Sequence, residues 1–272
     1  MKQKILSALF FLFCFQYLSA QELFVYTEPA SNMAAKSIGL RLNNYLLKEW
    51  VMDRYDYQVK PEIMCGVSKK TMIHAEGFFS NNEKKFKADG ASLYIKYRFY
   101  SRDEVHSHFR VAAYVKGAFN NSAIHQPAID LNGYNSGYET GLVATRLINK
   151  LALSVGSSFL HATDNTGDNK FPYEAKNRNA VSYSFSAGKL LLPEIYKDYK
   201  QINLNAMIEV LGQMNLKSAK NYLDIAPSLQ FIFLSKMRLD IGYRFAIIKD
   251  LLRNAENGFL IRFEYNFFNV YK

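Results

Sequence analysis

The chain has 272 residues, 49% of them hydrophobic and 21% charged, with a formal net charge of +10; this balance excludes disordered, collagen-like and low-complexity architectures. Two cysteines with no CxxC or Cys/His spacing exclude a disulfide framework and give no structural zinc signature. With 19 Tyr, 21 Phe and 1 Trp, residue types that favour strands, the first expectation is a β-rich fold.

Residues 1 to 20 predict a cleaved secretory signal. Lys2 and Lys4 precede an apolar run from Ile5 to Phe15, and Leu18-Ser19-Ala20 lead up to Gln21. The run is too short to span a bilayer as a helix. Cleavage after Ala20 removes Cys14 and leaves Cys65 alone, so no disulfide within the chain is expected even in an oxidising compartment. Residues 21 to 36, which include Glu28-Pro29-Ala30-Ser31-Asn32, read as an extended segment that leads into the first strand or occupies part of a lumen. Residues 37 to 272 form the third unit, a single β domain.

Along that unit the recurring pattern is alternation. In the segment 42 to 55, however, Leu46, Leu47, Trp50 and Val51 recur at helical spacing, so a short amphipathic helix is expected there. Leu93, Ile95, Tyr97 and Phe99 alternate with Tyr94, Lys96 and Arg98. Phe109, Val111, Ala113 and Val115 alternate with His108, Arg110, Tyr114 and Lys116. The pattern returns from Ile202 to Leu216, from Met237 to Phe245 and from Phe259 to Phe267. Each stretch predicts a strand with one apolar and one polar face. Weaker alternation at 38–42, 63–67, 73–79, 141–147, 151–159, 181–187 and 223–233 raises the total to about twelve strands.

Connections of two kinds alternate between these strands. Val67 to Thr71, Leu147 to Leu151 and Leu234 to Met237 leave room only for tight turns, whereas 80–90, 120–136, 161–179 and 248–257 are longer and polar. Transmembrane antiparallel β-barrels of the outer membrane have this arrangement, and a soluble periplasmic β-sandwich is the alternative. Facing follows from charge. If the other parity met lipid it would expose Lys96, Arg98, Arg110, Lys116, Arg238, Arg244 and Arg262, at roughly 2–4 kcal/mol for each basic residue at the midplane.

Gly258-Phe259-Leu260-Ile261-Arg262-Phe263-Glu264-Tyr265-Asn266-Phe267-Phe268 resembles the last strand by which outer-membrane barrels are recognised for assembly, displaced from the end by Asn269 to Lys272. With the Ser19-Ala20-Gln21 junction, the chain resembles outer-membrane β-barrels of Bacteroidota-type bacteria. Asn132-Gly133-Tyr134-Asn135-Ser136-Gly137-Tyr138-Glu139-Thr140-Gly141-Leu142 and the strands that follow are loosely similar to transporters of the phenol-degradation MetA-pathway type. The resemblance implies an outer-membrane channel or transporter.

The inward parity supplies the candidate site. Arg41, Lys96, Arg98, Arg110, Lys116, Arg146, Arg238, Arg244 and Arg262 are set against Glu62, Glu76, Glu209, Asp240 and Glu264. Two readings follow: an electropositive lumen that favours an anionic solute, and an interior network of ion pairs that fills the barrel. No catalytic, cofactor or metal site is predicted. His106-Ser107-His108 reads as a solvated turn rather than a metal pair, and Ser122 with His125 lacks a third member for a membrane lipid hydrolase. Lys84-Lys85-Phe86-Lys87 reads as a loop touching lipid phosphates, with no nucleic acid expected. The expected protein is therefore a monomeric, exported barrel whose partners are outer-membrane lipids and a small solute. A closed structural or adhesive barrel with partner-binding loops is the alternative.

Overall fold

In a strand that passes between lipid and a wet interior, consecutive side chains meet different solvents, and period two is the pattern that satisfies both. The computed structural model describes residues 24–49, 55–82, 85–105, 107–171, 178–195, 198 and 200–271. The signal call on 1 to 20 lies outside them, as do His106 and Lys84.

Twelve strands are present among the described residues: β1 (Ser37–Glu49), β2 (Tyr55–Gly66), β3 (Thr71–Ser80), β4 (Lys87–Glu104), β5 (Ser107–Asn120), β6 (Gly137–Ile148), β7 (Leu151–Ala162), β8 (Asn179–Leu192), β9 (Asn203–Asn215), β10 (Asn221–Phe233), β11 (Met237–Lys249) and β12 (Ala255–Phe267). Every strand pairs antiparallel with its neighbours in sequence, and β12 returns to β1 to close the barrel. That seam runs from Ile38 opposite Phe267 to Glu49 opposite Ala255. Closure leaves no edge strand whose backbone would lack partners in lipid.

Outward positions are apolar or aromatic: Leu40, Leu42 and Leu46 on β1, Leu93, Tyr97 and Phe99 on β4, and Phe259, Ile261, Phe263 and Tyr265 on β12 are all exposed. Buried positions on the same strands are polar or charged, among them Arg41, Asn43, Lys96, Arg262 and Glu264. This is a soluble protein turned inside out, so the β-sandwich alternative is set aside. Both ends of the barrel domain lie on the side of the tight turns, where Asn149 takes a positive φ of 55° between β6 and β7.

The helix expected over 42 to 55 is not formed. Residues 42 to 49 continue β1 and 55 onward is β2, with 50–54 outside the described residues. The ladder overrides the helical spacing because Leu42 and Leu46 lie opposite Phe263 and Phe259 on β12 while Tyr45 and Leu47 turn inward. Two prolines sit within strands of a barrel that has no edges. Residues 60 and 61 have no register partner on β3, and residues 226 and 227 have none on β11, so Pro61 and Pro227 each turn the side lacking an N–H toward a gap in the ladder.

Candidate functional site

The lumen is neither an open pore nor a packed core. It holds a chamber of about 370 Å³ bounded below by residues 26–28 and above by residues 126–134. The floor belongs to the segment 24–36, which turns into the barrel ahead of β1. Its strongest anchor is Glu209 on β9, a fully buried carboxylate that accepts the backbone N–H groups of Val25 (2.9 Å), Tyr26 (2.8 Å) and Thr27 (2.9 Å) and the Thr27 hydroxyl (2.7 Å). Lys96 on β4 donates to the carbonyls of Pro29 (2.6 Å) and Ser31 (2.8 Å), and Arg110 on β5 donates to the Ser31 hydroxyl (2.9 Å). Thr145 on β6 receives the Ala30 N–H at 2.9 Å. Charged side chains that would be costly when isolated inside a barrel thus pair with the backbone of this strap. Phe24 and Val25 complete the anchorage by packing with Leu147, Ala152, Met207 and Leu260.

Beside the strap runs a chain of ion pairs. Arg41 reaches Glu28 (3.0 Å), Glu62 (3.0 Å) and Glu264 (2.8 Å); Glu264 also holds Arg238 (3.0 Å), which holds Asp240 (3.0 Å), and Asp240 faces Arg262 at 3.5 Å. His74 joins through Nδ1, 2.6 Å from Glu62. A second cluster places Arg244 and Arg253 on the buried carboxylate of Asp224. The opposite wall differs in kind: Thr145, Ser154, Ser158 and Ser186 are the buried polar side chains of β6 to β8, joined by short hydroxyl contacts such as Thr145 to Ser154 at 2.9 Å.

The roof is the connection between β5 and β6. It folds into the barrel mouth instead of standing in solvent, burying Ile124, Ile129 and Leu131 against Leu160 and Phe171. Gln213 on β9 clamps one residue at both ends, accepting the Ile129 N–H at 2.9 Å and donating to the Ile129 carbonyl at 2.8 Å. Asn165, from the next external connection, donates to the carbonyls of Ser122 (2.7 Å) and Tyr134 (2.9 Å). In that connection Asp164 accepts the Phe171 N–H at 2.8 Å and Arg178 at 2.7 Å, and those bonds, the backbone one foremost, hold its carboxyl below the usual range.

Most of the residues expected in the lumen are there. Arg41, Lys96, Arg110, Glu209, Arg238, Asp240, Arg262 and Glu264 are buried in the networks just described, and Lys116 and Arg244 face the chamber. Two lie elsewhere. Arg98 donates to the carbonyl of Lys69 in the β2–β3 turn. Arg146 is on the outer face, because its neighbours Thr145 and Leu147 are the buried pair on β6. It lies three positions before Asn149 of the β6–β7 turn.

Residues missing from the expected set matter as much. Lys60, Glu139, Asp130, Glu28 and Arg253 all line the chamber. Lys60 and Glu62 share one parity along β2, a signal that Pro61 obscured, while Glu28 and Asp130 lie in segments outside any strand. With these included, Arg41, Lys60, Lys116, Arg244, Arg253 and Arg262 face Glu28, Glu62, Glu76, Asp130, Glu139 and Glu256, so the chamber has no basic excess. Ser122 and His125 are not brought together: the Ser122 hydroxyl donates to Asp89 at 2.7 Å and His125 is exposed. Among the described residues no three His, Cys, Asp or Glu side chains are grouped to hold a metal ion.

No protein-family description and no curated protein sequence matches the chain. Solved structures do. An outer membrane channel from Pseudomonas putida F1 aligns with a TM-score of 0.58 at 10% identity, covering 90% of this chain and all of that one (100%). The NanC porin aligns at 0.52 with 13% identity, over 84% and 98%, and the KdgM porin at 0.50 with 7% identity, over 84% and 99%. At such identities the likeness is one of fold: this chain has the porin-like architecture of outer-membrane β-barrels.

Proposed function

We propose that the protein is an outer-membrane channel for a small solute, seen in a closed state, in which the chamber is a stage on the path and the strap 24–36 is the inner barrier. The observation that carries this reading is the chamber itself. A barrel with only a structural task needs no void of about 370 Å³ lined by twelve Asp, Glu, Lys and Arg side chains, six of each sign. Porin-like neighbours and a lipid-facing exterior support it. Export through a cleaved signal at 1 to 20 belongs to the same proposal, as do the Bacteroidota-type origin and the loose MetA-pathway resemblance. The basic preference expected of the lumen is carried in this reading by local placement of charge, since the chamber is balanced.

The closed floor and roof also favour a second reading, a structural or adhesive barrel whose loops bind a partner. Planar-bilayer recordings separate the two. Deleting residues 24 to 36 in a Gln213→Leu background, which also frees Ile129 of the roof, is expected to raise single-channel conductance at least tenfold over the intact protein. A deletion variant that assembles as a heat-modifiable barrel yet conducts nothing would remove the channel reading and leave the structural one.

A further inference from the structure

The outer wall of the barrel is not evenly convex. A depression of about 900 Å³ crosses its lipid-facing side from β11 to β4, and the strand register gives its course. Along the edge nearer the tight turns Met237 lies opposite Tyr265, Tyr265 opposite Leu40, Leu40 opposite Ile63 and Ile63 opposite Ala75. Along the other edge Phe263, Leu42 and Pro61 follow in the same order, and Gly77 opposite Ala91 ends the row.

The far end is hollow because its side chains are small. Pro61, Ala75, Gly77 and Ala91 stand where β12 presents Phe263 and Tyr265. Two outward glycines show the difference. A Cβ on Gly212 would fall 2.3 Å from the ring of Tyr183, its partner on β8, so an aromatic side chain already fills that dent. Over Gly77 the nearest atoms to such a Cβ are Phe79 Cε2 at 3.3 Å and Pro61 Cγ at 3.8 Å, and the depression passes over it. Adjacent strands lie about 4.8 Å apart, so the five intervals from β11 to β4 make a groove of about 24 Å. Strands of such barrels tilt by roughly 40° and rows across them climb at that angle, so the groove rises about 15 Å, half of a hydrocarbon core about 30 Å thick.

Its low end opens at the rim of the tight turns, which is periplasmic in barrels of this kind. There Lys236 of the β10–β11 turn and Lys36 ahead of β1 are exposed. The tail of the chain links them: the Lys236 carbonyl accepts the Asn266 N–H at 2.9 Å, and the Lys36 carbonyl accepts the Val270 N–H at 2.9 Å. Neither the turn 234–236 nor the tail 268–271 carries an acidic residue. Exposed Phe268 and Tyr271 mark the same level as a membrane interface. An acyl chain gains nothing hydrophobic by leaving bulk lipid for a protein groove, because both are apolar; it is retained by close packing in a concave surface and by charge at the interface. The hollow supplies the first and the two lysines the second.

We propose that this groove holds one glycerophospholipid of the periplasmic leaflet, with an acyl chain along the depression over Gly77 and Ala91 and the phosphate at Lys36 and Lys236. A second copy of the barrel would meet the hollow with a convex wall and leave it unfilled.

Native mass spectrometry of the full-length barrel in mild detergent is the test. Delipidated protein is titrated with palmitoyl-oleoyl phosphatidylethanolamine, with the matching phosphatidylglycerol and with the matching diacylglycerol, which lacks the phosphate. One phospholipid per barrel is expected, bound at least tenfold tighter than diacylglycerol. Affinity is expected to fall at least tenfold in Ala75→Phe/Ala91→Phe, which fills the hollow with side chains that lipid tolerates, and at least fivefold in Lys36→Gln/Lys236→Gln. Val155→Phe, at an exposed outward position of β7 away from the groove, is expected to leave it unchanged. Heat-modifiable migration checks that each variant is folded; the lysine variant, altered only at exposed positions, decides the matter if the filled one does not assemble. No adduct, several equivalent adducts, diacylglycerol bound as tightly as phospholipid, or full affinity in either folded double variant would overturn the proposal. So would lipopolysaccharide or a second barrel as the adduct on protein extracted from membranes. Because binding is read without ion flow, none of these outcomes bears on the channel reading.

Discussion

The floor and the roof of the chamber close the same lumen by different physics. The strap 24–36 is held by charge, with its backbone N–H groups on Glu209 and its carbonyls on Lys96, and by apolar contacts of Phe24, Val25, Ala30 and Met33. The roof 121–136 is held by apolar packing around Ile129 and Leu131 and by the uncharged amides of Gln213 and Asn165. A polar contact set can be exchanged for water or for a polar solute at modest net cost, whereas an apolar cluster that opens exposes surface with no compensating partner. The difference is that buried charges are among the anchors of the strap, whereas the side chains that clamp the roof backbone, Gln213 and Asn165, are neutral. It also accounts for inward charges on the strands, since the strap supplies four of the hydrogen bonds that Glu209 accepts and two of those that Lys96 donates.

Variants of single anchors can break this comparison. Glu209→Ala removes the shared acceptor of three N–H groups and one hydroxyl, and at about 1.5–3 kcal/mol for each hydrogen bond to a charged group the loss of even one raises the detached population more than tenfold. In the roof-loosened Gln213→Leu background, frequent openings are therefore expected in bilayer recordings, with Glu209→Gln intermediate; a quiet Glu209→Ala channel there would show that the apolar packing of Phe24 and Val25 is the true latch. Arg41→Ala breaks three ion pairs and leaves Glu28, Glu62 and Glu264 facing one another, a cost of about 3–5 kcal/mol for a broken buried pair. It is expected to lower the temperature at which the folded band disappears from gels more than any other single lumen change discussed here.

Smaller effects are expected on the roof. Gln213→Leu strands both backbone groups of Ile129 at about 1–3 kcal/mol per unsatisfied group. Faster hydrogen exchange confined to 121–136, with strap residues unaffected, would separate the two closures; exchange that spread to 24–36 would mean that they open together. Arg146→Ala is the control, expected to change stability by no more than about 0.5 kcal/mol and to leave ion selectivity unaltered, because the side chain lies outside the barrel. A selectivity change in that variant would contradict the facing of β6.

Strand parity was legible in the chain because lipid and lumen impose opposite solvents on adjacent residues. The five clear alternating segments correspond to β4, β5, β9, β11 and β12, and their polar positions are the inward ones. Legibility failed where the pattern carried less contrast. On β6 the inward set is Val143, Thr145 and Leu147, largely apolar, so the alternation there does not tell the inward face from the outward one and Arg146 falls outside. At β2 Pro61 breaks the alternation and hides the shared parity of Lys60 and Glu62. Over 42 to 49, Leu46 and Leu47 satisfy helical and extended spacing alike, and only the register with β12 decided between them.

By itself, then, the chain determined that a sheet would form, which face would meet lipid and which residues would turn inward, because those properties repeat every two residues and need only local chemistry. Tertiary structure decided what the interior does. Glu209 meets Val25 across 184 positions of sequence and Gln213 meets Ile129 across 84, and no local pattern reports such partners. Net charge counted along strands pointed to a basic pore. Closure of the barrel instead set six cations against six carboxylates around the chamber, a balance that exists only once the strap and the roof have taken their places.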